Sequence, residues 1–223
     1  MMRIVRAAVV AGVLLAGCSA EPTKPEDAFG SSTAKAGAAK TSAAKPSEGP
    51  FGIDLGSDVK SVPGATAMEG QQNLFETTTP PKSHPDFESV VLVAYAEVGI
   101  CTIRGIGRNL EGDAAGLNIR TKIETLTEAL NTKYGNSEKT DACAGGEVTC
   151  ESQFWMMTLL QGERYYGFTW KGPSEAMKQN RIREIYLAAR AANINDSYPI
   201  LEFHSADKAK CEQAERKAGA ASL

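Results

Sequence analysis

Histidine and tryptophan are scarce: each occurs twice in 223 residues, and aromatic residues make up 7% of the chain. So little histidine leaves poor material for a histidine-based metal site. His84 lies in Ser83-His84-Pro85-Asp86, a tetrapeptide that gathers serine, histidine and aspartate. A nucleophile, its base and an orienting acid converge from distant segments, and near neighbours cannot all face one substrate, so this stretch reads as a loop. His204 reads as a half-buried strand-end residue, against the alternative of anion binding at the following helix N-terminus. No Gly-x-Ser-x-Gly elbow and no His-Glu-x-x-His pair occurs. Gly105-Ile106-Gly107-Arg108 lacks the third glycine and the lysine of phosphate loops, and Glu111 and Asp113 would repel an anion. Also missing is any basic cluster beyond residue 50. That argues against nucleic acid, which needs a Lys/Arg footprint to neutralise phosphates, and against electrostatic adhesion to anionic lipid. These absences predict no catalytic residue, no metal and no cofactor.

Long apolar runs are also few. The clearest follows Arg3 and Arg6 and spans residues 7–16. At about ten residues it is roughly half of what a helix needs to cross a bilayer. A positive start, a short apolar core and small residues before Cys18 predict a secretory signal peptide over residues 1–17. Leu15-Ala16-Gly17-Cys18 resembles the lipobox of bacterial lipoproteins. That resemblance implies a diacylglyceryl thioether on Cys18, an acylated N-terminus, and attachment to the membrane through lipid. Ser19, a non-aspartate at the next position, is compatible with the outer membrane, facing the periplasm. Several acyl chains hold a protein firmly where one, at about 0.8 kcal/mol per buried methylene, holds it marginally.

Residues 19–49 are rich in Ala, Ser, Thr, Lys, Pro and Gly, and their acidic and basic side chains cancel. Such a segment buries too little surface to offset its ordering entropy, which predicts a disordered N-terminal tether. Its r.m.s. span as a flexible coil is roughly 30 Å. The expected organisation is therefore a signal peptide at 1–17, a lipidated cysteine and flexible linker at 18–49, and one periplasmic domain at 50–223. Loss of Arg3 and Arg6 with the signal takes the formal net charge from −3 to −5, leaving a mildly acidic protein.

With Cys18 lipidated, Cys101, Cys143, Cys150 and Cys211 remain. An even number of cysteines in an exported chain reads as two disulfides, for which three pairings exist. Cys143 and Cys150 enclose Ala-Gly-Gly-Glu-Val-Thr, a flexible stretch that lets them meet, which leaves Cys101 for Cys211. A four-cysteine zinc site is the rival, but the paired short CxxC spacings it favours are missing.

Ser57 or Asp58 is placed to cap a short helix stopped by Pro63-Gly64. Residues 74–78 look like a strand, and 89–96 with 100–106 form a β-branched hairpin around Gly99. Ile119, Ile123, Leu126, Leu130 and Tyr134 recur at helical spacing, which predicts a helix over 115–134 ending at Gly135. Further hairpins are expected from 154–160 with 165–170 and from 181–189 with 198–204, followed by a helix to about residue 218. Hairpins without strand–helix–strand alternation define an α+β class: an antiparallel sheet, one long central helix and a C-terminal helix. A helix-plus-strands unit from Gly56 and again from Gly116 hints at duplication, although the side chains do not repeat.

Phe154, Tyr165 and Tyr166 are the candidate contact surface, since tyrosines anchor interfaces while the neighbouring aromatics form core. Phe51-Gly52-Ile53-Asp54-Leu55-Gly56 and Leu130-Asn131-Thr132-Lys133-Tyr134-Gly135 resemble phrases of small bacterial envelope proteins. They are also similar, more faintly, to the small outer-membrane assembly lipoproteins of the SmpA/OmlA type, in which a glycine-led short helix precedes a small sheet. The expectation is a non-catalytic module that binds or helps assemble another envelope protein. The alternative is a periplasmic inhibitor or immunity-like protein against a lytic enzyme, to which an acidic balance is suited.

Overall fold

A computed structural model describes residues 47–172 and 174–220. The expected signal peptide, the expected lipidation site Cys18 and the expected tether as far as residue 46 lie outside the described residues. The strands are β1 (Thr66–Ala67), β2 (Leu74–Thr77), β3 (Phe87–Tyr95), β4 (Gly99–Gly107), β5 (Glu138–Cys143), β6 (Arg164–Lys171), β7 (Ile182–Ala191) and β8 (Ser197–Ser205). They form one antiparallel sheet in the order β1-β2-β3-β4-β8-β7-β6-β5. Two four-stranded meanders thus run inward from opposite edges and meet at the β4–β8 seam. One row of partners crosses the whole sheet: Thr66, Glu76, Val91, Arg104, Glu202, Tyr186, Thr169 and Glu138. The topology of the halves repeats, while their helices differ.

The helices are α1 (Leu117–Tyr134), α2 (Trp155–Leu160), α3 (Glu175–Gln179) and α4 (Lys208–Ala220). The fold is α+β, with α1 the long central helix and α4 the C-terminal one. The first three pack on one face of the sheet. There Leu92, Ile103, Phe203, Ile185 and Trp170 form a row in which no side chain exceeds 3% exposure. Burial of such side chains contributes roughly 1.5–3 kcal/mol each. Ile119, Ile123, Leu126 and Tyr134 give α1 the matching apolar stripe. The Trp170 indole N–H donates to Asn131 Oδ1 at 3.0 Å and to the Gly135 carbonyl at 2.9 Å, which ties β6 to the end of α1.

α4 lies against the other face. Only Ala214 of this polar helix is buried, so packing alone gives it little hold. Cys101, the extra residue of a bulge in β4, is bonded to Cys211. Lys217 pairs with Glu97 on the β3–β4 turn, and Arg181 with Asp207 just before the helix. The second disulfide joins Cys143 to Cys150.

Residues 154–160 correct the sequence expectation. They are not a strand: a 3-10 turn over Ser152–Phe154 runs into α2. Trp155, Met156, Thr158 and Leu159 are the buried positions, a helical spacing rather than an alternating one. Met and Leu are good helix formers, which the apolar run concealed. β6 instead pairs with β7 and with β5, whose Glu-Lys-Thr-Asp-Ala-Cys sequence carries no apolar alternation. As an exposed edge strand, β5 needs none.

Candidate functional site

Side chains alternate between the faces of a strand. The residues next to the buried row therefore point away from α1–α3, and on this face the β4–β8 seam brings charged groups together. Arg104 Nε donates to Glu202 Oε1 at 2.6 Å, and His204 Nε2 lies 3.1 Å from Glu202 Oε2. His204 Nδ1 is 3.4 Å from the Thr102 hydroxyl. An imidazole protonated on Nε2 satisfies both contacts, giving to Glu202 and accepting from Thr102. Burial pushes the Glu202 carboxyl upward, but the His204 hydrogen bond and the Arg104 charge outweigh it and hold it below the usual carboxylate value.

Tyr186 stands beside this group, its ring edge-on to the His204 ring with centroids 5.2 Å apart. Burial, followed by its hydrogen bond to Glu184, pushes the phenol up to about 12, so it remains a neutral donor. Glu184 is in turn paired with Arg183 at 3.0 Å and Lys171 at 3.9 Å.

Between these groups and the β5 edge lies a hollow of about 480 Å3. Its floor includes Ala188 and Thr169, and Tyr165, Tyr186, Arg190, Glu202 and His204 stand around it. Small residues create it. A Cβ at Gly167 would meet the Leu187 carbonyl oxygen at 2.5 Å and the Tyr165 hydroxyl at 3.0 Å, so only glycine lets these groups approach the strand so closely. A larger cleft at the end of the β3–β4 hairpin, about 550 Å3, is lined by Asp58, Lys60 and Glu97 among others. No comparable charged network spans it among the described residues, since Glu97 is paired with Lys217 and Asp58 caps the turn over Val59–Ser61.

The three candidate contact residues are not brought together. Tyr165 borders the hollow. Tyr166, 1% exposed, points into the helix-covered face and donates to Glu124 Oε1 at 2.8 Å. Phe154 belongs to the turn before α2. His84 accepts from the Asp86 backbone N–H at 3.2 Å within an exposed loop, far in sequence from the seam. Gly105 and Gly107 belong to β4, where Phe51, Phe87 and Pro199 crowd against them and leave no phosphate cradle. The residues that sequence reasoning missed are Arg104, Glu202, Tyr186 and Arg190. One signal could have found them: charged and phenolic side chains on the alternate positions of otherwise apolar strands. Among the described residues no cluster of three or more His, Cys, Asp or Glu side chains could hold a metal, and no helix is long and apolar enough to cross a membrane.

No family model, curated protein or solved structure matches this chain.

Proposed function

We propose that the protein is a lipid-anchored, non-catalytic module that docks another cell-envelope component on the face of its sheet opposite α1–α3, beside α4. The observation that carries this reading is the difference in finish between the faces. One is closed by three helices, whereas the other carries α4 at one end and presents an ordered polar network beside a hollow that α4 does not line. Ordered polar groups next to an apolar floor are the usual make-up of a binding surface. The lipobox resemblance of Leu15-Ala16-Gly17-Cys18 supports attachment to a membrane, and with it a partner that resides in the envelope.

Thr102, His204 and Glu202 follow the order hydroxyl, imidazole, carboxylate, which invites comparison with a nucleophilic relay. Thr102 is 8% exposed and its hydroxyl sits 3.4 Å from the imidazole, while Glu202 is shared with Arg104. A nucleophile has to reach its substrate, so these contacts support a fixed recognition surface instead. Photo-crosslinkers placed at Tyr186 and Arg190 in intact cells should give the same envelope-protein adduct. Crosslinkers at Leu117 and Glu128, on the exposed side of α1, should not. Identical adducts from both faces, or none from the sheet, would sink the reading.

A further inference from the structure

The charges around the hollow do not balance. Glu202 is held by Arg104 at 2.6 Å and His204 at 3.1 Å, so its negative charge is already answered. Arg190, on the rim of the hollow, donates through Nη1 to the Ala189 carbonyl at 3.3 Å. Among the described residues no carboxylate lies within salt-bridge distance of it. The hollow therefore offers a guanidinium fork to whatever enters. Its floor carries little: Ala188 contributes a methyl group and Thr169 a short side chain, while the Tyr165 hydroxyl lies over Gly167 at one side. Tyr165 and Tyr186 present phenol rings above that floor, and Ile200 adds an aliphatic patch.

We propose that this hollow binds a ligand in which a six-membered ring carries a carboxylate. The ring lies over Ala188 between Tyr165 and Tyr186, and the carboxylate pairs with Arg190. A guanidinium matches a carboxylate with two parallel hydrogen bonds, which fixes orientation as well as charge. Phenol rings offer apolar faces to a flat or saturated ring and hydroxyls to its substituents. This ligand class rests on the docking reading and deepens it: the envelope component would present such a group, as a sugar acid of a glycan or as an aromatic acid.

Four probes separate these sources, each acid matched with a neutral relative: glucuronate with glucose, and benzoate with benzyl alcohol. Titration of the purified full-length protein, read by calorimetry and by NMR shifts of the Tyr165 and Tyr186 rings, should show one acid binding at least about ten-fold tighter than its neutral partner. The acid preferred identifies the source. Arg190→Gln should erase that preference, and Ala188→Leu should remove binding by filling the floor. Should Ala188→Leu fail to fold, Arg190→Gln decides alone, because that side chain is exposed. Binding of neither acid, equal binding of the neutral probes, or an unchanged preference in Arg190→Gln would overturn the assignment. Failure of the ligand class leaves the crosslinks from Tyr186 and Arg190 intact. Failure of the docking reading removes those crosslinks while acid binding persists.

Discussion

On the helix side of the sheet, Leu92, Ile103, Phe203, Ile185 and Trp170 fill one row at 3% exposure or less. One residue further along each strand, Val91, Arg104, Glu202, Tyr186 and Thr169 fill the corresponding row on the other side. The same backbone thus carries two surfaces that gain their order differently. The first is held by apolar contact with α1–α3. The second is held by hydrogen bonds and by a helix fastened with a disulfide. Damage to the first should therefore act through lost apolar packing, and damage to the second through its disulfide and its charged hydrogen bonds, with little loss where a side chain of that face is truncated alone.

The largest expected effect tests how α4 is held. Replacing Cys101 and Cys211 together by serine should cost about 4–5 kcal/mol by the chain-entropy model, since the bond closes a long loop. Urea unfolding would give the number, and hydrogen exchange should show α4 opening ahead of the sheet. Unchanged protection of α4 would mean that packing, not the bond, secures it. Next comes a neighbouring pair on β7. Ile185→Ala should cost about 3–4 kcal/mol through the cavity it leaves, whereas Tyr186→Ala should cost under about 1 kcal/mol. Equal losses in the two urea midpoints would erase the distinction between the faces. Serines at Cys143 and Cys150 should cost about 2 kcal/mol, because that loop is short. Arg164 limits the damage there by bridging Asp141 at 3.0 Å and the Cys150 carbonyl at 2.9 Å.

The remaining effect concerns pH. The folded-state carboxyl of Glu202 titrates below its ordinary 4.5. Its contribution is therefore complete above that ordinary value and is lost as pH falls through the lower, folded one. A Glu202→Gln variant should be about 1–2 kcal/mol less stable at neutral pH and should converge on the parent in acid. Parallel stability curves from neutral pH down to acid would remove Glu202 from the network.

Local signals made much of the helix side legible. The β3–β4 and β7–β8 hairpins announce themselves by β-branched runs around Gly99 and Asn193-Ile194-Asn195-Asp196, and α1 by its apolar spacing. Both cysteine pairs are those that loop flexibility and elimination suggest. α2 was not legible, because an apolar run of six residues fits either a buried helix or a strand. The network was less legible still. Arg104 and Glu202 are 98 residues apart, and only the β4–β8 register makes them partners. Alternation alone would have separated Tyr165 from Tyr166, since adjacent strand residues cannot share a face.

The seam between β4 and β8 has a consequence in time. Among the described strands β8 comes four strands after its partner β4, so the sheet cannot be sealed until the whole stretch from β5 to β8 has been made. Until then, Gly99–Gly107 is a bare strand edge, and Cys101 is a thiol whose partner does not yet exist. Closure across so many residues is slow, and the waiting edge is open to wrong partners. The protein's most vulnerable moment is therefore set by the order of its strands rather than by the strength of its core.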